Sequence, residues 1–327
     1  MTWRRTTGRH RARWWRGGLA VLLTGAVVLP LSGAARPVIP APAPTGLPPV
    51  TAATLDAAYA AHRADAAEAS RTAAAHGDRH RAAADRALAA PGRQLLAFDG
   101  RGAGLATEVF GDLAHADRVA VLVPGSDTGL DTYGRFRAAA LALYHRLAPG
   151  RTAVVAWLGY ETPGTVSTTV ATTGRAEEAA PALRALVRTL HRVSGPGTDV
   201  SLLCHSYGTV VCARAAHGLA VTDIALLGSP GTGADTAARL GTDARVWAAR
   251  GGGDWVAHVP HLSAELFGTT VGFGTDPLSP SFGARVFAAG DGGHSDYFAP
   301  GSLSLTNLAR IVLGETVPDT TTEVKRP

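Results

Sequence analysis

The chain has 327 residues, of which 46% are hydrophobic, with 39 glycines and 20 prolines. This is enough apolar material for a sizeable core, which excludes a globally disordered chain. The formal net charge is +5, but residues 1–35 hold six arginines and no acid, which leaves 25 basic and 26 acidic residues elsewhere. The basic balance therefore belongs to the N-terminus and does not indicate a nucleic-acid-binding surface.

The first fifty residues have the pattern of an export segment. An arginine-rich stretch precedes a short apolar run at 19–31 and small residues at 33–35, the order found in a signal peptide. The run is shorter than the roughly 20 residues of a membrane span, but left uncleaved it would tether the chain to a membrane. We therefore predict a signal peptide or N-terminal anchor at 1–35, a proline-rich spacer at 36–50 and an extracellular or cell-envelope location.

Residues 51–90 are rich in alanine and charged residues without proline, which predicts a helical segment. It is either an appendage on the following domain or a mobile arm. From 91 to 315, short apolar runs alternate with amphipathic ones, and 316–327 is a polar tail. Strands are predicted at 94–98, 105–110, 118–123, 152–158, 199–204, 223–227, 244–248 and 284–288, and helices at 133–147, 175–193, 207–218 and 303–313. This order predicts an α/β fold, a mostly parallel sheet flanked by helices in the α/β-hydrolase layout, with an N-terminal alanine-rich helical extension.

A candidate nucleophile lies between the strand at 199–204 and the following helix. The segment Cys204-His205-Ser206-Tyr207-Gly208 has the G-x-S-x-G pattern of a nucleophile elbow, with cysteine at the first glycine position. In such an elbow a sharp turn lifts the serine hydroxyl above the sheet. The alternative is an ordinary strand-to-helix turn in which Ser206 caps the helix.

In this fold an acid and then a histidine follow the nucleophile along the chain. Asp254 comes directly after the strand at 244–248 and three glycines, which makes it the preferred acid. Asp276 is the rival, although it stands in an Asp-Pro turn further from a strand end.

The base is predicted to be His294, in a glycine-rich loop after the last strand. His258 and His261 follow Asp254 too closely for a strand to intervene, and we expect them in a loop or pocket wall. His294 would take the Ser206 proton, while Asp254 would hold the imidazole tautomer.

Two backbone N–H groups are candidates for an oxyanion hole. One belongs to Tyr207, directly after the nucleophile. The other belongs to Ser126, or to the neighbouring Asp127, in the Pro-Gly loop that follows the strand at 118–123. The Asp127 side chain is a further pocket candidate, either orienting this loop or meeting a cationic substrate group.

Other residues near these motifs are candidate pocket walls or a lid. The candidate walls are His205, Trp157, Tyr160, Trp255 and Phe273, each with core or loop packing as the alternative. The segment 255–283 is long and contains both proline and glycine, which predicts a lid.

Seven motifs resemble an actinobacterial α/β-hydrolase family of unassigned function. They are VAVLVPGSDT (119–128), VVAWLGYETP (154–163), CHSYGTVV (204–211), LLGSPGTG (226–233), RVWAARGGGDWVAHVPHL (245–262), GTDPLSPSFGARVF (274–287) and GGHSDYF (292–298). The resemblance covers residues 94–314 and implies a hydrolase fold with a Ser-Asp-His triad, without implying a substrate. The family usually has glycine where this chain has Cys204.

The two cysteines are Cys204 and Cys212. An exported chain is able to pair them. We nevertheless expect two buried free thiols, because Cys212 should lie two turns into the helix, beyond the ~7 Å Cα separation that a disulfide spans.

The function predicted is that of an exported serine hydrolase, a carboxylic-ester hydrolase acting on small or medium acyl groups. An amidase or peptidase using the same triad is the enzymatic alternative, and a non-catalytic cell-surface binding protein is the other. The expected partner is a small-molecule ester or amide. No nucleic acid, cofactor or metal is expected, since the chain lacks H-E-x-x-H, clustered cysteines and a phosphate-binding loop.

Overall fold

The computed structural model describes residues 39–147, 150–165, 167, 172–259, 263–266 and 269–318. The predicted signal peptide or anchor at 1–35 and most of the C-terminal tail lie outside these residues. Within them, no helix is both long and apolar enough to span a membrane.

Eight strands form the main sheet. They are β1 Gln94–Asp99, β2 Leu105–Phe110, β3 Arg118–Val123, β4 Thr152–Leu158, β5 Asp199–His205, β6 Asp223–Leu227, β7 Arg245–Ala249 and β10 Arg285–Val286. Their spatial order is β1-β2-β4-β3-β5-β6-β7-β10. The pairs β1–β2 and β2–β4 are antiparallel and all others are parallel. The predicted fold class, a mostly parallel sheet flanked by helices, is confirmed.

Among the described residues, six α-helices accompany this sheet. They are α1 Leu55–Ala75, α2 Arg79–Leu88, α3 Tyr133–Leu147, α4 Gly174–Ser194, α5 Gly208–Ala215 and α6 Leu303–Leu313. Helices α4 and α5 pack into the apolar cluster on one face of the sheet, and α3 and α6 into the cluster on the other. Because both faces are covered, β3 to β7 are almost wholly buried, which explains their continuous apolar sequence.

The predicted elements differ from the observed ones mainly at their ends. The last strand shrinks from 284–288 to Arg285–Val286, because it pairs with β7 alone at the sheet edge. The helix predicted at 207–218 covers only Gly208–Ala215, and Gly218 adopts a positive φ of 63° in the turn that follows. A two-stranded hairpin, β8 Ser263–Leu266 and β9 Thr269–Gly272, lies within the predicted lid segment.

The alanine-rich segment docks on the sheet instead of forming a mobile arm. Its α1 and α2 pack on each other, and α1 packs on β1. The guanidinium of Arg81 is buried, donating to the carbonyl oxygens of Gly100, Gly102 and Ala103 and to the carboxylate of Asp131. Burying a cation requires such pairing, so this contact fastens α2 to the loop between β1 and β2.

The neighbouring Asp85 carries a buried carboxyl group without that compensation. Its side chain is fully buried, and neither carboxyl oxygen has a hydrogen-bond partner among the described residues. Burial raises the pKa of Asp85 to about 7, since the attraction of Arg81 only partly offsets burial and the charges of Asp131 and Asp78 add to it. The folded protein therefore favours the protonated acid.

Asp85→Asn should stabilise the protein at pH 8 and have little effect near pH 4. A carboxyl whose folded pKa lies above its unfolded value costs stability progressively as the pH rises from about 4 to 7. We expect the variant to gain about 1–3 kcal/mol in the free energy of unfolding at pH 8. Urea unfolding followed by circular dichroism between pH 4 and 8 measures this, with Asp56→Asn on exposed α1 surface as control. Parallel pH profiles for wild type and Asp85→Asn would contradict the assignment.

Candidate active site

Ser206 lies in a strained turn at the C-terminal end of β5. Its backbone adopts a φ of 54°, which is rare for a residue other than glycine. Its N–H donates to the carbonyl of Leu227 (2.9 Å), and its own carbonyl accepts from Thr209 N–H (2.9 Å). The turn is thus held from the neighbouring strand and from α5, and Ser206 lines a cleft above the sheet.

Two glycines leave room for this turn. A Cβ at Gly208 would lie 2.6 Å from the carbonyl oxygens of Val123 and Pro124, and one at Gly125 would lie 2.6 Å from Ser206 Cβ. Both separations are closer than Cβ atoms can approach, so the nucleophile loop and the Pro-Gly loop fit together only with glycine at these positions.

The position before the elbow is disulfide-bonded, so the expectation of free thiols is wrong. Cys204 and Cys212 are paired, with their Cα atoms 6.4 Å apart. The sharp turn at Ser206 sends α5 back beside the end of β5, which brings Cys212 within bridging distance. The bond links the strand before the elbow to the helix after it.

Asp254 and His294 meet beside the elbow although 40 residues separate them. His294 Nδ1 lies 2.9 Å from Asp254 Oδ1. Since a carboxylate only accepts, Nδ1 carries the proton, and Nε2 of the neutral ring is left free to accept one. Asp254 directly follows β7 and its loop and begins the short helical turn Trp255–His258.

Three donors hold the Asp254 carboxylate. Besides His294, it accepts from Val256 N–H (2.9 Å) and from the hydroxyl of Tyr297 (2.5 Å). Burial alone would raise the pKa of Asp254, but the hydrogen bonds from His294, Tyr297 and Val256 outweigh it and lower the pKa to about 2. Asp254 is therefore ionised and fixed in orientation.

The rival residues lie in other surroundings. Asp276 pairs with Arg250 (2.7 Å) and accepts from Leu278 N–H (3.0 Å). His258 is exposed in the helical turn after Asp254, and His261 lies outside the described residues. Of the two candidate acids, Asp254 is the one that hydrogen-bonds His294.

The Pro-Gly loop after β3 is held by the loop after β4. Tyr160 donates its hydroxyl to the Pro124 carbonyl (2.6 Å), and Asp127 N–H donates to the Pro163 carbonyl (3.0 Å). The Asp127 carboxylate accepts from Thr165 N–H (3.2 Å), with the Asp127 backbone at a φ of 56°. This contact is of the loop-orienting kind suggested for Asp127 by the sequence.

These hydrogen bonds distinguish between the two candidate oxyanion donors of the Pro-Gly loop, Ser126 N–H and Asp127 N–H. The N–H of Asp127 is already used, whereas no acceptor is found within the described structure for the N–H groups of Ser126 and Tyr207. Both residues line the cleft. Likewise the Ser206 hydroxyl makes no hydrogen bond to a described residue, as is common before substrate binds.

The cleft above Ser206 has a volume of about 1220 Å³. Ser126, Asp127, His205, Ser206, Tyr207 and His294 all line it, as do Trp255, half exposed, and Phe273. Most of its remaining wall is apolar: Leu122, Val123, Phe136, Ala139, Leu203, Val256, Val259 and Phe298. The structure brings nearly all the candidate site residues to one cleft.

Two candidate pocket walls lie elsewhere. Tyr160 and Trp157 are buried, stack on each other with ring centroids 5.8 Å apart, and are not part of the cleft lining. Tyr160 instead supports the Pro-Gly loop from below through its hydroxyl. The interpretation of these two residues as pocket walls is corrected, because both side chains are buried in the core, Trp157 from β4 and Tyr160 from the loop that follows it.

Sequence reasoning missed Tyr297 and Gly228 as parts of this site. Tyr297 stands three residues after His294, in the quoted motif GGHSDYF, so one turn of chain returns its hydroxyl to Asp254. Gly228 ends β6, and a Cβ there would lie 2.6 Å from Asp254 Oδ2 and 3.1 Å from His294 Nδ1. Only the packed structure reveals that requirement.

The described residues contain no group of three or more histidine, cysteine, aspartate or glutamate side chains arranged to hold a metal ion. The segment 255–283 contributes Trp255, Val256, Val259, Gly272 and Phe273 to the cleft. Its role as a lid stays a prediction.

Tyr297→Phe should raise the pKa of Asp254 above its value of about 2, because the carboxylate loses one donor. A carboxyl with a lowered folded pKa stabilises the fold above pH 4, and this contribution is lost as the pH falls towards 2. We therefore expect about 1–2 kcal/mol less stability at pH 7 and a smaller difference at acid pH. Carboxyl titration by NMR and urea unfolding measure both effects, with Tyr144→Phe as the control. An unchanged Asp254 pKa would contradict the assigned hydrogen bond.

Comparison with known proteins places the chain in a family. A family model described as alpha/beta hydrolase matches residues 99–264, half of the chain. Uncharacterized protein Rv2079 of Mycobacterium tuberculosis (strain ATCC 25618 / H37Rv) is 32% identical over 256 residues, which cover 67% of this chain and 38% of that protein. The chain thus spans well under half the length of this relative. Uncharacterized protein Rv0963c of the same strain is 30% identical over 178 residues, covering 50% of this chain and 67% of that protein.

Solved structures that are similar to this one include esterases. Esterase PE8 is 18% identical with a TM-score of 0.45, covering 65% of this chain and 99% of that one. A serine hydrolase without lid, XC6422 from Xanthomonas campestris, is 19% identical with a TM-score of 0.42, covering 71% and 98%. On the family match over residues 99–264, the chain belongs to the alpha/beta-hydrolase family.

Proposed function

We propose that the protein is an exported serine hydrolase that cleaves carboxylic esters with small or medium apolar acyl groups. One observation carries the proposal: Ser206, in its strained turn, faces the same cleft as the hydrogen-bonded pair of His294 and Asp254. A serine hydroxyl is a weak nucleophile and needs such a base.

The proposed reaction begins with attack of Ser206 Oγ on the ester carbonyl carbon. His294 Nε2 takes the hydroxyl proton, and the Asp254 carboxylate stabilises the imidazolium through the Nδ1–H bond. The negative charge that develops on the carbonyl oxygen is stabilised by the N–H groups of Tyr207 and Ser126. When the intermediate collapses, the alcohol leaves with the proton from His294, and the acyl group stays on Ser206.

Water then repeats these steps in the opposite sense. It gives a proton to His294 and attacks the acyl carbonyl carbon. The second intermediate collapses by breaking the bond to Ser206 Oγ, which regains the proton from His294, and the carboxylic acid is released. Asp254, with a pKa lowered to about 2, stays ionised throughout.

The substrate class rests on the cleft. Its wall is mostly apolar and includes Phe136, Val259, Phe273 and Phe298. An apolar acyl group gains free energy by leaving water for such a surface, at about 25 cal/mol per Å² buried. A volume of about 1220 Å³ exceeds what an acetyl group fills, which favours longer acyl chains within the small-to-medium range.

The export proposal rests on the N-terminal sequence and on the disulfide. Disulfides persist in oxidising compartments and are rare in the reducing cytosol. The pair Cys204–Cys212 therefore favours a protein that works outside the cytoplasm. Fractionation of a strain that produces the full chain, with N-terminal sequencing of the product, tests both the location and cleavage near residue 35.

Labelling with a fluorophosphonate tests the nucleophile and its base. We expect the wild type to label and both Ser206→Ala and His294→Ala to lose labelling, because the probe reacts only with an activated serine. Ser281→Ala and His115→Ala, on exposed positions outside the cleft, serve as matched controls. A folded wild type that does not label would favour a binding protein that retains the fold.

Replacement of each candidate acid by asparagine tests the assignment of Asp254. Asp254→Asn should lower kcat for p-nitrophenyl butyrate by about 10³–10⁴-fold, because the amide favours the wrong imidazole tautomer. Asp276→Asn should stay within about threefold of the wild type, since that carboxylate pairs with Arg250. Equal losses in the two variants would refute the assignment. Faster cleavage of the matching anilide than of the ester would favour the amidase alternative.

A further inference from the structure

His205 stands directly before the nucleophile, and its ring contacts the proposed base. Its Nε2 lies 2.6 Å from the backbone carbonyl oxygen of His294. A carbonyl oxygen only accepts, so Nε2 of His205 carries the proton and donates it. The two imidazole rings also pack with centroids 4.6 Å apart.

This contact reaches the backbone carbonyl of His294, which accepts no other hydrogen bond from the described residues. Asp254 fixes the end of the imidazole through Nδ1, but the backbone of His294 belongs to a loop that begins with Gly290 and includes Gly292 and Gly293. Glycines have many accessible conformations, and in this loop the carbonyls of Gly290 and Gly292 accept hydrogen bonds from the loop after β7, whereas that of His294 does not. Among the described residues, His205 supplies the hydrogen bond to the His294 carbonyl.

His205, which donates this hydrogen bond, adjoins the nucleophile in the chain. His205 is the last residue of β5, and the chain turns at the next residue, Ser206. A hydrogen bond from β5 to the base therefore relates the positions of Ser206 and His294 through one short and rigid connection. Since the Ser206 hydroxyl makes no hydrogen bond to a described residue, their spacing depends on such indirect contacts.

We propose that His205 is a positioning residue that sets the spacing between Ser206 and the imidazole of His294. This inference rests on the proposed function of the same site. His205 takes no proton from the substrate, and it acts on the reaction only through the backbone of His294.

The surroundings of His205 keep it suited to this role over the working pH range. Burial, and then the neighbouring His294, lower the pKa of His205 to about 4, although the bond to the His294 carbonyl and the charge of Asp254 act in the opposite direction. Tyr297 is the other titratable group packed against its ring, with centroids 5.5 Å apart. His205 thus stays neutral and keeps one fixed donor while His294 gains and loses its proton.

Trp255 packs on the same imidazole of His294, with centroids 4.8 Å apart. The base is therefore enclosed by an indole, by the His205 ring and by Asp254 at Nδ1. Removal of the His205 donor releases the carbonyl of His294, while these side-chain contacts and the hydrogen bonds of the preceding glycines remain. The expected defect is therefore a misplaced base in an otherwise intact site.

The test compares His205→Phe, which keeps an aromatic ring without the donor, with His205→Gln, which keeps a donor at a similar reach. We expect His205→Phe to lower kcat for p-nitrophenyl butyrate by about 10–100-fold with KM changed less than threefold, since misplacement by about 1 Å can cost 10²-fold. His205→Gln should recover most of this loss. His191→Phe is the matched control, because His191 Nε2 likewise contacts a backbone carbonyl, that of Ala220 (2.8 Å), outside the cleft.

A second readout does not require turnover. NMR of the ¹⁵N-labelled imidazoles should show a changed His294 titration midpoint in His205→Phe and a wild-type midpoint in His205→Gln and His191→Phe. Wild-type kcat and His294 titration in folded His205→Phe would overturn the inference. A wild type that neither hydrolyses esters nor labels, but whose His294 titration responds to His205→Phe, would reject the proposed function and retain the positioning contact.

Discussion

The tight turn at Ser206 is the constraint on which the rest of the site depends. A positive φ at a residue with a side chain is unfavourable, and here the neighbouring structure maintains it. The N–H of Ser206 is bound to the end of β6, α5 starts two residues later, and Gly208 and Gly125 let adjacent loops approach without a Cβ. The disulfide between Cys204 and Cys212 closes the chain around the same turn. Together these contacts hold the turn so that the Ser206 hydroxyl lies above the sheet.

The parallel strands explain why distant residues converge on that hydroxyl. Parallel strands end at the same edge of a sheet, so the loops after β3, β5, β7 and β10 meet there. They bring Ser126, Ser206 and His294 to one cleft, with the buried Asp254 hydrogen-bonded to His294. A second set of hydrogen bonds then aligns these groups. Tyr297 donates to Asp254, Tyr160 in the loop after β4 donates to the Pro-Gly loop, and His205 donates to the backbone carbonyl of His294.

Buried charged groups at the site and in the N-terminal helices differ in how fully their hydrogen bonds are satisfied. At the site, three donors surround the buried Asp254 and keep that carboxylate charged. In the N-terminal helices, Arg81 is fully matched, whereas the buried oxygens of Asp85 are not. A negative charge on Asp85 therefore weakens the docking of α2. The negative charge on Asp254 is instead stabilised by its three donors and can stabilise the imidazolium form of His294.

The sequence by itself determined the sheet, most of its strand and helix bounds, and the chain order of Ser206, Asp254 and His294. Continuous apolar runs and glycine-rich turns are local signals, and a short elbow pattern between a strand and a helix is one too. The tertiary structure alone decided the contacts between segments far apart in the chain. The docking of α1 and α2, the inward direction of Trp157 and Tyr160, and the contacts of Tyr297, Gly228 and His205 all belong to this class. The disulfide joins residues only eight apart in the chain, but it too depended on the structure, because the sharp turn at Ser206 brings the two cysteines together. The long-range contacts depend on how distant loops pack at one sheet edge: the Asp254–His294 and His205–His294 bonds span 40 and 89 residues. Such packing leaves no periodic trace in the sequence.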